Sequence, residues 1–334
     1  MKKKEFWDTY FNRKQDVVMI TISDTLSDVP NDAMNVTDIS ETRDGSVMAW
    51  MSNDDAQLHV HIAANGKVPA DENIVRMFRG CEYLETADLK GLDTSQVTDM
   101  CFMFGMCKSL KNLDVSGLDT SQVTNMSFMF ERCESLKNLN VSGFDTSQVE
   151  DMAFMFSDCR LLENLEISEF DTAQVKDMSC MFGACESLKN LDVSGFDTMQ
   201  VKNMSYMFRD CKSLEKLDVK GFNTEKVEDM REMFEDCESL ENLDVSSFIT
   251  SRVKDMRSMF FDCRSLKNLN VSGFDTSRVS SMAWMFYGCR SLKTLDVSGF
   301  DTAQVEDMRG MFSDCESLEN LGVSGFDTSR VKNK

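Results

Sequence analysis

From about residue 72 onward, apolar and polar positions follow one pattern that repeats every 26 residues. In one copy, Leu113 and Val115 alternate with Asp114 and Ser116, between Leu110 and Leu118. Alternation with a period of two predicts a short strand with one face buried. Gly117 then predicts a turn with positive φ, with Glu169 and Ser247 in its place in two copies. The second half of the copy reads Val123, Met126, Met129, Phe130 and Cys133, in steps of three, three, one and three. That spacing places all five on one face of a short helix. Asp119-Thr120-Ser121, just ahead, offers side-chain oxygens to the first free amides of such a helix. The threonine recurs in every copy from Thr94 to Thr328, and a ladder of corner hydroxyls is its other reading.

A fixed period of this length is the mark of a solenoid, in which each unit buries its apolar residues by stacking on its neighbours. The predicted architecture is α/β: a parallel β ladder with one short helix per rung and right-handed returns. Residues 72–334 hold ten units, the last incomplete, since the chain stops at Val331-Lys332-Asn333-Lys334 without its Met-Phe pair or cysteine. An open final rung predicts a possibility of end-to-end self-association. Residues 1–71 read as an N-terminal capping segment. A helix over 5–15 would carry Phe6, Trp7, Tyr10 and Phe11, and a hairpin would run from Val47 to Met51 and back from Leu58 to Ala63. His59 and His61 share one strand face without a third ligand, so no metal and no cofactor is expected.

Ten of the twelve cysteines, from Cys81 to Cys315, occupy one place in successive units beside Phe and Leu. A column of inert buried thiols is expected there, and exposure for the out-of-register Cys101 and Cys180. Three outward rows are candidates for binding. Asp192, Asp218 and Asp244 stack in consecutive rungs, beside a row of asparagines that includes Asn138, Asn164 and Asn190. The aspartates form either a hydrated acidic face or a weak cation-binding row. Phe102, Phe128, Phe154, Tyr206 and Trp284 share a second row, interrupted by Cys180, Glu232 and Ser258. Its aromatics either present a partner surface or fill gaps between neighbouring helices. The residue after each core cysteine alternates in sign from Lys108 through Glu134 to Glu316, except at Arg264 and Arg290, which predicts inter-rung ion pairs.

Net charge is -21, which argues against a nucleic-acid partner held through a basic face. No run of 18 apolar residues exists, so no transmembrane segment is expected. Met1-Lys2-Lys3-Lys4 is followed by Glu5 and Asp8 rather than an apolar core, which predicts a cytoplasmic chain. No phosphate loop, nucleophile elbow or zinc-protease helix is present, so the expected function is non-enzymatic.

The phrases Met129-Phe130-Glu131-Arg132-Cys133-Glu134-Ser135-Leu136, Leu191-Asp192-Val193-Ser194-Gly195-Phe196-Asp197-Thr198 and Val149-Glu150-Asp151-Met152 resemble the BspA-type leucine-rich repeat family of bacterial surface proteins. Residues 38–42 and 45–50 resemble the region that precedes such arrays. The resemblance implies a leucine-rich-repeat-like solenoid and a secreted or surface adhesion protein contacting protein or glycan partners, although no signal or lipobox cysteine is evident. The function expected is therefore a binding scaffold. The alternatives are a cytoplasmic acidic rod that binds a basic, nucleic-acid-binding protein, and a self-stacking filament.

Overall fold

In a computed structural model of the chain, residues 16–29, 36–40, 43–54, 57–70 and 74–332 are described. The helix expected over 5–15 lies outside them. The chain divides into two compact units. The first is Met1–Val149 with Cys159–Leu165, and the second is Glu150–Asp158 with Glu166–Lys334.

In the first unit, β1 (Val17–Ser23) is flanked by further strands of one mixed sheet. Here β2 (Thr37–Asp38), β3 (Val47–Asp54) and β4 (Gln57–Ala64) precede β5 (Val68–Pro69) and β6 (Thr86–Asp88), with β7 (Leu92–Asp93) and β8 (Asn112–Asp114) beyond. β3 and β4 form the antiparallel hairpin that the alternation predicts, with Val47 opposite Ala64. β1 lies parallel to both β4 and β6, and β6 is parallel to β8, with Ala87 opposite Leu113. The sheet order is β2-β3-β4-β1-β6-β8, so the N-terminal hairpin and the first rungs share one hydrogen-bonded sheet. β5 pairs with β7 beside it. β9 (Asn138–Asn140) and β10 (Asn164–Glu166) continue the strand row. In the second unit, β11 (Thr294–Asp296) pairs in parallel with β12 (Asn320–Gly322). Single parallel bridges such as Asn242 to Asn268 mark the same row in other rungs. In β9, β10 and β11 the central leucine is buried and its neighbours exposed, as in Asn138, Leu139 and Asn140, whereas Leu113 of β8 is half-buried and Leu321 of the last strand is exposed.

The returning half of each rung is not the predicted helix. Among the described residues from 74 to 332 there is no helical segment, and the short 3-10 turn Leu26–Asp28 precedes them. In the return of residues 204–211, amides alternate between two jobs. Those of Met207, Arg209 and Cys211 bond three residues back, to the carbonyls of Met204, Tyr206 and Phe208 at 3.3, 3.1 and 3.2 Å. Those of Met204, Tyr206, Phe208 and Asp210 donate instead to the next rung, at Asp229, Arg231, Met233 and Glu235. The first and last of these turns place Tyr206 and Asp210 third in the turn, with φ of 62° and 57°. A type II turn requires positive φ at that place, and a right-handed helix forbids it. The apolar residues still face inward: Val201, Met204, Met207, Phe208 and Cys211 are all fully buried. A string of turns that each bond three residues back repeats its inward side at nearly the spacing of a helix, which is why the sequence pattern misleads.

Equivalent side chains stack down the core. Phe156, Phe182, Phe208, Phe234, Phe260 and Phe286 form an offset column with neighbouring ring centroids 5.6–5.8 Å apart. The cysteine column also bonds between rungs. Cys211 Sγ donates to the Phe182 carbonyl at 3.2 Å, the same oxygen that accepts the Cys185 amide at 3.1 Å. Cys237 repeats this on Phe208 and Cys107 on Phe78. Burial pushes the thiols of Cys133, Cys211, Cys237 and Cys263 up, so they stay protonated donors. None of the twelve cysteines is in a disulfide.

Candidate functional site

The threonine row is a corner ladder rather than a set of helix caps. Thr94 Oγ1 donates to the Asp119 carbonyl and accepts the Asp119 amide, both at 2.8 Å. Thr224 treats Ile249 of its next rung likewise, at 3.0 and 2.7 Å. The neighbouring aspartates turn the chain through their own side chains. Asp119 Oδ1 accepts from the Ser121 amide at 3.0 Å and its hydroxyl at 2.7 Å.

Asp192, Asp218 and Asp244 do the same work at the end of each strand. Asp192 and Asp244 accept the amide and hydroxyl of Ser194 and Ser246, and Asp218 accepts the Lys220 amide at 3.1 Å. The serine hydroxyls hold the Asp192 and Asp244 carboxyls below their ordinary range, and for Asp244 Lys220, 3.5 Å away, adds to this. One oxygen of each aspartate is thus committed to a turn, and the other faces outward. In the second unit this face has a shallow depression of about 570 Å³, floored by Leu217, Leu243 and Leu269. Asn242, Asn268 and Asp244 rim it. The carboxamides of Asn242 and Asn268 have no hydrogen bond, whereas in the first unit Asn164 Nδ2 donates to Asn138 Oδ1 at 2.7 Å.

The aromatic row lies on the turn face. Phe102, Phe128, Phe154, Cys180, Tyr206, Glu232, Ser258 and Trp284 all have φ between 50° and 62°. The left-handed backbone lays these side chains along the surface, so most are half-buried rather than either exposed or core. Phe102 stacks on Phe128 at 4.3 Å and lies under Arg79 at 4.6 Å. Tyr206 lies between Arg209 and Arg231, at 5.7 and 5.6 Å. Phe154 is half-buried in the second unit. Trp284 is the most exposed, at 37%, with Arg309 over it at 4.7 Å. Beneath it is Gly310, where a Cβ would meet the ring at 2.5 Å. Cys101 and Cys180 are half-buried too, contrary to the expected exposure. Cys180 packs against Gly183, and burial pushes its thiol up to about 11.

The alternating charges do pair. Lys108 meets Glu82 at 3.1 Å, Lys212 meets Glu186 at 3.3 Å, and Arg264 meets Glu238 at 3.3 Å. Arg290 turns forward to Glu316 at 3.5 Å, so the two successive arginines each keep a partner. Further columns hold Lys111 with Glu85 and Lys267 with Glu241 at 2.9 and 2.7 Å, and Lys176 with Glu150 at 2.7 Å.

Sequence reasoning missed a cluster on the turn face of the second unit. Arg209 Nη1 lies 3.6 Å from Glu232, and its Nη2 lies 3.7 Å from Glu235. Its Nε, 3.5 Å from Asp210, is buried without a hydrogen bond, as are Nε of Arg231 and Arg257. Asp210, Asp236 and Asp262 stack in consecutive rungs alongside. The one legible signal is that the residue before the core cysteine is Asp158, Asp210, Asp236, Asp262 or Asp314 in five rungs and Gly80 or Gly288 in two. Asp and Gly are residues that accept positive φ. Elsewhere, His61 stacks on Trp50 at 5.1 Å and lies 3.1 Å from Ser52 Oγ. Among the described residues no group of three His, Cys, Asp or Glu is arranged to hold a metal ion. No helix among them is long and apolar enough to cross a membrane.

Rungs bonded through equivalent residues define a tandem-repeat protein, built of short strands and turns with almost no helix. The chain belongs to the family described as "Mycoplasma protein of unknown function, DUF285", which matches residues 72–190, 162–269 and 240–334. No curated protein matches it. Among solved structures it is similar to one titled "Crystal structure of TLR13-ssRNA13 complex", at 17% identity and a TM-score of 0.22. That likeness covers 78% of this chain and 46% of the other, so this chain spans about half the length of its counterpart. At that TM-score it carries no weight for the architecture, which rests on the hydrogen bonds between rungs.

Proposed function

We propose that this chain is a non-enzymatic binding scaffold that holds a protein or glycan partner on its strand face. The observation that carries the reading is the depression around Asn242 and Asn268. The stacking interactions use the thiols, the threonine hydroxyls and one oxygen of each corner aspartate. The two carboxamides are left over above a floor of leucines, beside the outer oxygen of Asp244, which meets Lys220 at 3.5 Å. Amide and carboxylate groups over a shallow apolar floor suit the hydroxyls of a glycan or the backbone of an extended polypeptide. Catalysis is outside the proposal: the Asp192 and Asp244 carboxyls stay ionised and the core thiols stay protonated, so neither is poised near neutrality. A leucine-rich-repeat-like solenoid displayed at a bacterial surface, as the BspA-type resemblance implies, would present such rungs many times over and bind through avidity.

The test is binding of the purified chain to glycan and peptide arrays, with an Asn242→Ala/Asn268→Ala variant alongside. Loss of binding in a variant of unchanged stability supports the strand face. A variant that binds as well as the wild type removes that face from the proposal. Binding confined to cationic polypeptides and abolished by salt would transfer the assignment to a basic partner, the reading that the charge of -21 favours.

A further inference from the structure

The cluster around Arg209 has more carboxylates than cations, and it is partly shielded from water. Glu232 and Glu235 are 18% and 14% exposed at the side chain, and both lean on the one guanidinium of Arg209. Two carboxylates leaning on one guanidinium leave a negative charge uncompensated in a site half shielded from water, which favours keeping a proton there. Other groups facing the pair do not supply the missing positive charge. Tyr206 lies close to Glu232 and carries no positive charge, while Arg231 is engaged with Asp229 at 3.0 Å and Arg257 with Asp255 at 3.3 Å. Asp210 and Asp236 flank Glu235, and Asp236 in turn faces Asp262 and Glu238. Lys212 is shared between Glu186 and Asp210, and Arg264 between Glu238 and Asp262.

We propose that Glu232 and Glu235, clamped on Arg209, form an acid-tightened latch on the turn face of residues 206–238. While one of the two carboxyls holds a proton, Arg209 of the preceding rung balances the charge of the other and the two rungs stay clamped; release of that proton sets two carboxylates against each other on one guanidinium and loosens that stretch. Burial, then the neighbouring Glu232 carboxyl, pushes Glu235 up to about 8, and burial with the charges of Asp210, Asp262 and Glu238 pushes Asp236 up to about 6. Both acids bind protons more tightly folded than unfolded. Folded stability therefore falls as pH rises from the ordinary carboxylate range towards 8, the opposite of a salt-bridged acid. The latch is independent of the strand-face binding reading, because it lies on the turn side of the rung.

The experiment is amide hydrogen exchange between pH 6 and 9, corrected for intrinsic rates and referred to the Phe104 amide in the first unit. The reporters are the amides of Asp210, Glu232 and Glu235, which bond to Glu235, Arg257 and Glu232 carbonyls. Their protection is expected to fall about tenfold across that range, the effect of one pH unit of net linkage after allowance for solvent screening. Glu235→Gln removes the titrating group and is expected to flatten the profile. Glu215→Gln removes the same charge from an exposed site and is expected to leave the profile as it is. Wild-type protection independent of pH, or an equal fall in Glu235→Gln, overturns the proposal. Should Glu235→Gln not fold, carboxyl NMR titration of the wild type decides: a Glu235 midpoint above 6 upholds the latch and one below 5 overturns it.

Discussion

Replacing Thr224 by valine separates hydrogen bonding from volume at a corner of the rung. Thr224 is fully buried, and its hydroxyl both donates to the Ile249 carbonyl and accepts the Ile249 amide. Ile249 stands where most rungs carry Asp or Asn, so no side-chain turn supports its backbone from its own side. Valine matches the shape of threonine and deletes both bonds. Two backbone groups left unpaired cost about 1–3 kcal/mol each if fully buried. Ile249 itself is 46% exposed, so water recovers part of this, and the expected loss is about 2–4 kcal/mol. Thr224→Ser keeps the hydroxyl and removes one methyl, worth about 1 kcal/mol with its small cavity. Urea unfolding followed by circular dichroism measures both variants, with m-values compared to confirm that the same transition is seen. The valine variant must be the less stable of the two. If serine proves the more damaging change, the threonine column fills space, and the hydrogen-bonded corner described above is wrong.

Ala184 sits at φ 57° in the place where Gly288 occurs naturally, so Ala184→Gly is expected to stabilise by about 1 kcal/mol, read by thermal unfolding. An unchanged or lower melting temperature would contradict the strain. Glu186→Lys sets two cations side by side at Lys212 and is expected to cost at most about 1 kcal/mol, more at low salt than at high salt. Equal stability at all salt concentrations would show that the charge column contributes nothing. Thiol titration of the folded protein with a disulfide reagent at pH 8 should leave the core cysteines unreacted and label Cys180 only slowly, since its thiol is pushed up to about 11. Rapid reaction of more than the three half-buried thiols, Cys101, Cys180 and Cys315, would mean that the rungs open readily.

The strand row and the N-terminal hairpin were legible because alternation in Leu113 and Val115, and in residues 47–63, reports one buried face directly. The charge column was legible as well, down to its irregular step at Arg264 and Arg290. The return half was misread because Val123, Met126, Met129 and Phe130 recur at the spacing that helices and three-residue turns share. The aspartates and glycines before the core cysteines marked the left-handed positions, and they carried the information that apolar spacing lacked. The Arg209 cluster could not be read in advance. Its members combine only once backbone inversion at Glu232 and Asp236 brings side chains of successive rungs together.

The ion pairs after the core cysteines join rungs in couples: Glu82 with Lys108, Glu186 with Lys212, Glu238 with Arg264, and Arg290 with Glu316. The phenylalanine column, the thiol bonds and the threonine corners repeat from rung to rung, so duplication or deletion of a single rung leaves the core and the corner ladder intact. The charge couples do notice, because a single added rung placed within a couple separates one residue from its partner. Two rungs inserted between couples restore every pair. Gene rearrangements that lengthen or shorten this array are thus expected to be tolerated best in steps of two, with electrostatics acting as a parity check on a core that repeats from rung to rung.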